Sequence, residues 1–480
     1  MRSPSRTSRR PCWAIERGLT PLLVATAFAL WAPAVASGAG DAEPSLSFGG
    51  ELDWSLFGYL RDYDPGGAVP GRNQIQVQPH LKARAGKLGA TVELQFRHDF
   101  VDPERSRILL MDAYAQARWG GFKIRAGNQI IRWGRMDMRP ALDLLTPRDY
   151  DELWDPERLA TPALLLSYGH PSVALSVAWL PTFTPSRYPV HDDHRWHVLR
   201  SQPELGVAGS ETFPIHYREY REPEITGDPA FLDGQYATRL ELFLPSIDLG
   251  VQGYYGWDLL PTYHRFEGLN GDVMEPTAQD LITFLDEGVE VALIPVFAHK
   301  GVVGGDFALV LGRVVVKGEV AYTFTPDAAH ERCEVPDPYL QGTVGVEWIA
   351  NDIVGNQDLQ LRFEIAGDHE LPPSDDGVIN RDDHCDVPAT ATPIVDVNHL
   401  SMLAFYGNVQ WAFSDHVALD LRGFVGIEGD YLLRTELSYT ARDRLRLGLG
   451  LLLLGGFEDD SFMAHYDSND RVEFRATYLF

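Results

Sequence analysis

Charged residues of both signs alternate with apolar residues and prolines between positions 132 and 150, where the chain reads Arg-Trp-Gly-Arg-Met-Asp-Met-Arg-Pro-Ala-Leu-Asp-Leu-Leu-Thr-Pro-Arg-Asp-Tyr. Arginines and aspartates at this spacing form ion pairs and fix a local electric field, which selects ions without covalent chemistry. The apolar residues between them favour a compact, ion-paired loop with one helical turn after Pro140. Such a loop could fold inward and line a passage, or pack on a wall as a plug or latch. The candidate residues are Arg132, Arg135, Asp137, Arg139, Asp143, Arg148 and Asp149.

A second set of cations falls on neighbouring early segments of the chain. Its members are Lys82, Arg84, Arg97, Arg118, Lys123 and Arg125. Carboxylates predicted to face the same interior are Glu93, Asp112, Glu241, Glu319, Glu347, Glu364 and Glu436. Charged walls of this kind tune the passage of ions by their field. The concentration of early cations favours an anionic solute, such as an acidic sugar or a carboxylate.

Residue patterns for covalent or metal chemistry are weak in this chain. The sequence contains no Gly-rich phosphate loop of Walker type and no His-Glu-x-x-His pair, and no cofactor is expected. His191–His197 contains ligand types that suit zinc or copper, and so does Arg381–Asp386. The simpler interpretation of both is a solvated acidic loop. An enzyme is therefore the least favoured class of function.

Elements that could position these charges follow a period of two. Between residues 74 and 85, Ile75, Val77 and Leu81 alternate with Gln, His, Lys and Arg side chains. A strand places alternate residues on opposite faces of a sheet, so one face is apolar and the other polar. The same alternation recurs along the chain and predicts eighteen strands.

Connections between these strands are sorted by length. Most connections after odd-numbered strands are long, whereas those after even-numbered strands are tight turns such as Gly86-Lys87 and Gly312-Arg313. Transmembrane barrels have this alternation of long extracellular loops and short periplasmic turns. The sequence therefore predicts an all-β, antiparallel, up-and-down transmembrane barrel of about eighteen strands over residues 46–480. Sixteen is the alternative count, because residues 289–311 are ambiguous.

The N-terminal residues predict export. Five arginines and one glutamate accompany a single apolar run, 19–36, which ends in Ala-Val-Ala. This pattern indicates a cleaved signal peptide at 1–36, followed by a short segment at 37–45. Its removal would change the net charge from -27 to -31. A chain so acidic, without a basic stripe, is not expected to bind nucleic acid.

The C-terminal residues predict how the barrel closes. Val472, Phe474, Ala476, Tyr478 and Phe480 alternate with polar residues and end at the last position. The last strand of a barrel must pair with the first, since an open edge in lipid leaves backbone groups unpaired. Phe474, Tyr478 and Phe480 are therefore predicted to form the signal that the barrel-assembly machinery recognises.

Several short motifs resemble those of porin-like Gram-negative outer-membrane proteins of unknown substrate. They are Trp133–Arg135, Thr146–Tyr150, Trp179–Arg187, and Gly305–Ala308 followed by Gly318-Glu319. The chain also resembles, more distantly, the alginate-export and capsule-assembly barrels. The resemblance implies an outer-membrane location among lipid and lipopolysaccharide, and in many porins the third extracellular loop folds into the lumen.

The two cysteines outside the signal peptide, Cys333 and Cys385, fall in neighbouring long connections. Outside the reducing cytoplasm a disulfide between them is the natural expectation, with two separate thiols as the alternative. The predicted function is a channel for small hydrophilic, possibly anionic, solutes. A non-conducting barrel that attaches or exports surface polysaccharide is the alternative. The solute and the oligomeric state are not predicted.

Overall fold

The computed structural model of the chain describes residues 44–61, 71–189, 234–268, 289–325, 338–353, 357–370, 403–457 and 461–480. It also describes the short pieces 195–196, 205–207, 211–213, 215–218 and 224–225 and the single residues Thr283 and Val335. The predicted signal peptide, Cys333 and Cys385 lie outside the described residues.

Eighteen strands form one antiparallel sheet. In chain order these are β1 (Ser45–Tyr59), β2 (Gly71–Ala85), β3 (Leu88–Asp99), β4 (Arg107–Trp119), β5 (Phe122–Gln129), β6 (Thr161–His170), β7 (Val173–Leu180), β8 (Gln235–Phe243) and β9 (Ile247–Trp257). They continue with β10 (His299–Leu311), β11 (Val314–Phe324), β12 (Tyr339–Ala350), β13 (Asp358–Glu370), β14 (Leu403–Ala412), β15 (Val417–Gly426), β16 (Asp430–Ala441), β17 (Leu445–Gly456) and β18 (Arg471–Leu479).

Each strand pairs with its neighbours in chain order, and the sheet closes on itself. The last strand pairs with the first from Glu51↔Leu479 to Tyr59↔Arg471. Phe480 extends this contact, because its N–H donates to the Gly50 carbonyl at 3.0 Å and its own carbonyl accepts from Gly50 at 3.1 Å. No sheet edge remains, as a strand structure in lipid requires. The predicted barrel and its eighteen strands are confirmed.

Residues 289–311 divide into two different elements. Val289–Phe297 is a strand outside the barrel, and it pairs with the short strands Ile215–Arg218, Glu224–Ile225 and Thr262–Gly268. The chain then enters the wall at His299. Sixteen strands is therefore the wrong count.

Tight turns join the strands at one end of the barrel. Gly86, Gly120 and Gly312 adopt positive φ in these turns, a conformation that costs glycine little. The other end carries the long connections, with 3-10 helices at Pro103–Arg105 and Met463–Asn469. No helix among the described residues is long and apolar enough to cross a membrane.

Candidate functional site: the barrel lumen and the segment folded into it

The connection between β5 and β6, residues 130–160, enters the lumen, and we call it the lumen segment. Its Leu142 and Leu145 are fully buried against inward-facing side chains of strands β6 to β11. These wall residues are Ala163, Leu165, Ala178, Leu180, Ala237, Tyr254, Val302 and Ala321. Burying a leucine contributes about 1.5–3 kcal/mol, so this part of the segment is fixed to strands β6 to β11. β5 ends at Gln129, because the chain leaves the wall there.

Two wall carboxylates hold the backbone of the segment. Glu319 of β11 accepts the N–H groups of Arg135, Met136 (2.8 Å) and Leu142 (3.1 Å). Glu364 of β13 accepts those of Asp137 (3.1 Å), Met138 (3.2 Å) and Arg139 (3.4 Å). The predicted helical turn after Pro140 is wrong, since residues 141–145 form bends and irregular backbone without a helical turn. Three backbone N–H groups of the segment therefore donate to each of these carboxylates, which belong to the wall and not to the segment.

Two glycines allow this close approach. Gly134 adopts a φ of 100°, and a Cβ there would lie 2.9 Å from Glu319 Oε1. Gly304 of β10 lies beneath Leu142, whose Cδ2 would be 2.5 Å from an added Cβ. A larger residue at either position would push the segment off the wall.

Side chains of the first half of the segment reach the same wall. Arg135 contacts Asp306 through Nε, and its Nη2 lies 3.3 Å from Glu241. Asp137 accepts from Lys317 at 3.0 Å. The Arg139 guanidinium lies 3.5 Å from Asp368. Asp306 and Asp368 are buried, so these ion pairs fix the first half of the segment to the wall.

The second half of the segment is held by internal ion pairs. Asp143 lies 2.9 Å from Arg148 and 2.7 Å from Arg158. Arg148 N–H donates to Ser186 Oγ at 3.0 Å, and Tyr150 stacks on Tyr188 at 4.8 Å. Motifs that are far apart in sequence thus meet here: Thr146–Tyr150 contacts Trp179–Arg187, and Trp133–Arg135 contacts Asp306 and Glu319.

Five arginines at the long-loop end of the wall surround the acidic part of the segment. We call Arg72, Arg97, Arg105, Arg107 and Arg471 the arginine cluster, and Asp149, Asp151, Glu152 and Glu157 the acidic tip. Their contacts include Arg107–Asp149 at 3.0 Å, Arg97–Asp151 at 3.2 Å, Arg105–Asp151 at 3.0 Å, Arg105–Glu152 at 3.1 Å, Arg471–Glu152 at 2.9 Å, Arg72–Glu152 and Arg97–Glu157.

The pKa values of two carboxyl groups in the acidic tip shift in opposite directions. Burial opposes ionisation of Glu152, but Arg471 and Arg72 outweigh it and hold the pKa of that carboxyl below its ordinary value. Burial raises the pKa of Asp149, an effect that Arg107 partly offsets. The neighbouring arginines therefore favour the ionised form of Glu152.

The early cations fall into two groups. Arg97 belongs to the buried arginine cluster, whereas Lys82, Arg84, Arg118, Lys123 and Arg125 lie near the short-turn end. The register brings these five together, because Arg118 pairs with Lys123, and Gly89 and Gln116 connect Arg84 to Arg125. Within the described part of the chain, none of the five forms an ion pair. Arg125 lies over the Tyr114 ring at 5.2 Å.

A cavity of about 380 Å³ separates the lumen segment from strands β1, β2, β3, β16 and β18. Its lining carries both charges, including Glu51, Asp53, Arg132, Arg434 and Arg475. Arg132 is exposed, and no ion pair to it occurs among the described residues. The first half of the segment thus lies against strands β6 to β13, and its acidic tip borders a charged space that remains open in the lumen.

Two residues of the histidine-rich stretch 191–197 are described, and both are buried. Trp196 donates through Nε1 to Glu152 at 3.1 Å and packs on Tyr466 at 5.5 Å. The Arg195 guanidinium lies 3.8 Å from the Tyr59 ring centre. The predicted solvated loop is wrong at these two positions, because they dock on the barrel mouth. Residues 191–194, 197 and 381–386 lie outside the described ones, and the described residues contain no group of three metal-ligating side chains.

The outer face of the barrel is apolar. Leu46 and Phe48 are each 69% exposed, and Trp54, Phe363 and Phe405 also point outward. At the C-terminus, Tyr478 and Phe480 are exposed on this face, and Phe474 packs edge-on to Trp54 at 5.7 Å. An apolar exterior around a closed, charged lumen is the arrangement of a barrel in lipid. This chain is an outer-membrane β-barrel.

Comparisons with known proteins give structural likenesses alone, and no family profile or curated protein sequence matches the chain. OccK11 (OpdR) of Pseudomonas aeruginosa is 11% identical, with a TM-score of 0.46 over 91% of this chain and 96% of its own. Wzi of Escherichia coli, described as a carbohydrate-binding β-barrel involved in group 1 capsule assembly, is 12% identical, with a TM-score of 0.45 over 95% and 87%. OmpT of Vibrio cholerae is 9% identical, with a TM-score of 0.41 over 92% and 100%.

The sequence analysis did not single out the arginine cluster or Trp196. Arg72, Arg105, Arg107 and Arg471 come from three strands and a 3-10 helix and share no motif. The strand period placed Glu319 and Glu364 in the lumen but did not indicate that they bind backbone. The usable signal was Gly134, because a glycine between Trp133 and Arg135 favours an unusual backbone angle.

Proposed function

We propose that this barrel is a channel through which small hydrophilic solutes cross the outer membrane passively. The observation that carries the proposal is the charged cavity of about 380 Å³ that remains in the lumen beside the lumen segment. The leucines and the first half of the segment are fixed to strands β6 to β13, whereas its acidic tip borders the cavity and contacts the arginine cluster. A pore narrowed by a fixed, charged segment selects solutes by size and local field.

An anionic solute is favoured by the five cations at the short-turn end. Lys82, Arg84 and Arg118 are exposed there, and no ion pairs neutralise them among the described residues. A patch of unneutralised cations raises the local concentration of anions. We therefore propose that the channel prefers anions and that these five cations act in conduction.

Recordings from single channels in planar bilayers test the proposal. Replacing Arg135, Arg139 and Arg148 together with alanine should change conductance or the reversal potential in a salt gradient. Arg132→Glu should shift selectivity toward cations. Arg313→Glu, in an exposed turn at the barrel rim, is the matched control and should change neither. A wild-type barrel that inserts but does not conduct would refute the channel and favour a barrel that binds surface polysaccharide.

A further inference from the structure

We propose that the arginine cluster is a binding site for small multivalent oxyanions, in which the acidic tip of the lumen segment occupies the place of the ligand. This inference rests on the channel proposed above and names the class of solute that the lumen recognises. Such an anion would exchange with the acidic tip and release it from the wall.

The composition of the site matches a ligand with several oxyanion groups. Five arginines converge on four carboxylates that are contributed by nine consecutive positions, 149–157. Arginine binds carboxylate and phosphate oxygens through two parallel N–H groups, so a set of arginines recognises several oxyanion groups at once. The acidic tip presents its carboxylates in the way a polycarboxylate or a polyphosphate would.

Several arginines of the cluster have N–H groups that donate no hydrogen bond to the described residues. Arg72, Arg97 and Arg105 are more than nine-tenths buried, and the Nε atom of each donates no hydrogen bond within the described part of the chain. Asp99 Oδ2 lies 3.9 Å from Nε of Arg72 and 4.0 Å from Nε of Arg105, which is beyond hydrogen-bonding distance. Buried donors without acceptors are rare and costly, and they mark a site whose partners are incomplete.

A solute in the lumen can reach the arginine cluster through the cavity. Arg72, Arg97 and Arg471 line the same cavity as the exposed Arg132. A volume of about 380 Å³ accommodates a small oxyanion with its water. An anion that enters the lumen therefore reaches the cluster without crossing the apolar contacts of Leu142 and Leu145, which lie on the opposite wall.

Exchange conserves the ionic character of the site. The incoming anion takes the guanidinium contacts, while Asp151 and Glu152 move into the wet lumen. The first half of the segment keeps its own anchors at Glu319 and Glu364. Release would therefore be confined to the acidic tip.

Calorimetric titration of the detergent-purified, full-length barrel with inorganic triphosphate or citrate tests the proposal, with acetate as the monovalent control. Wild type should bind the multivalent anions and not acetate. Asp151→Asn with Glu152→Gln removes the internal competitor and should tighten binding at least tenfold. Arg97→Gln with Arg107→Gln should weaken it at least tenfold.

Two controls separate competition from general electrostatics. Asp420→Asn with Glu347→Gln neutralises two lumen carboxylates elsewhere, and binding should stay within about threefold of wild type. Heat-modifiable gel mobility shows that each variant is folded. Equal or weaker binding by the Asp151/Glu152 variant would overturn the proposal.

Hydrogen exchange gives a second, independent measurement. Triphosphate should accelerate exchange of the peptide 149–157 in wild type, because the acidic tip is displaced. Slower exchange would mean that the anion joins the cluster without displacement, which also overturns the proposal. Neither measurement requires conduction, so a barrel that binds and exchanges but carries no current would refute the channel alone.

Discussion

Glu319→Ala tests how the lumen segment is held. The Glu319 carboxylate is buried and accepts three backbone N–H groups, those of Arg135, Met136 and Leu142. A hydrogen bond to a charged group contributes about 1.5–3 kcal/mol, and water entering the vacated space restores part of that. We therefore expect a loss of about 3 kcal/mol in the free energy that keeps the segment on the wall. At about 1.4 kcal/mol per factor of ten, the detached population should rise roughly 100-fold.

Hydrogen exchange followed by mass spectrometry measures this population directly, because buried amides exchange only when the segment opens. Amides in the peptide 134–142 should lose about 100-fold of their protection in Glu319→Ala. Glu319→Gln keeps one accepting oxygen, so the protection of the same amides should fall only about tenfold. Asp420→Ala, on a wall strand where the carboxylate contacts Arg422 and Gln410, is the matched control and should change nothing in this peptide. Unchanged exchange in Glu319→Ala would refute the anchoring role.

Three further predictions concern assembly and the barrel mouth. Deleting Phe480 or changing it to Asp should prevent stable insertion, since the closing strand loses a lipid-facing aromatic; a normal heat-modifiable band in the outer-membrane fraction would contradict this. Cys333 and Cys385 should form a disulfide closing a loop of roughly 50 residues, for which chain entropy gives at most about 4 kcal/mol. Two alkylatable thiols in a non-reducing tryptic digest would disprove it. Trp196→Ala should accelerate exchange in the helix Met463–Asn469, because Tyr466 loses its ring contact with Trp196; equal exchange would exclude that contact as a stabiliser.

Strand positions could be predicted because the pattern that marks a barrel wall lies between residues adjacent in sequence. Each wall residue faces either lipid or lumen, so the alternation of Ile75 and Gln76 carries the information without knowledge of any partner. The long and short connections add the direction of each strand. The same logic fails where the chain leaves the wall, which explains why the fifth strand ends at Gln129 and why Val289–Phe297 was ambiguous.

The charged residues of the lumen segment could be named from the sequence, but their partners could not. The apolar and charged content of 132–150 indicates a packed loop, whereas its backbone conformation depends on two carboxylates about 180 and 230 positions away. Without those acceptors the stretch after Pro140 favours a helical turn. With them, Glu319 and Glu364 bind the N–H groups of Arg135 to Arg139 and Leu142, and the chain bends instead.

The barrel, its closure at Phe480 and the polarity of its two faces were predictable from the sequence, because these follow from alternation between neighbours in the chain. The places where charges meet depend on the tertiary structure. Arg97 looked equivalent to Lys82 and Arg125 in the pattern, yet it is buried beside the acidic tip, whereas they lie near the short-turn end of the barrel. Pairing depends on distances across the lumen, which are set only when the sheet closes and the segment folds inward.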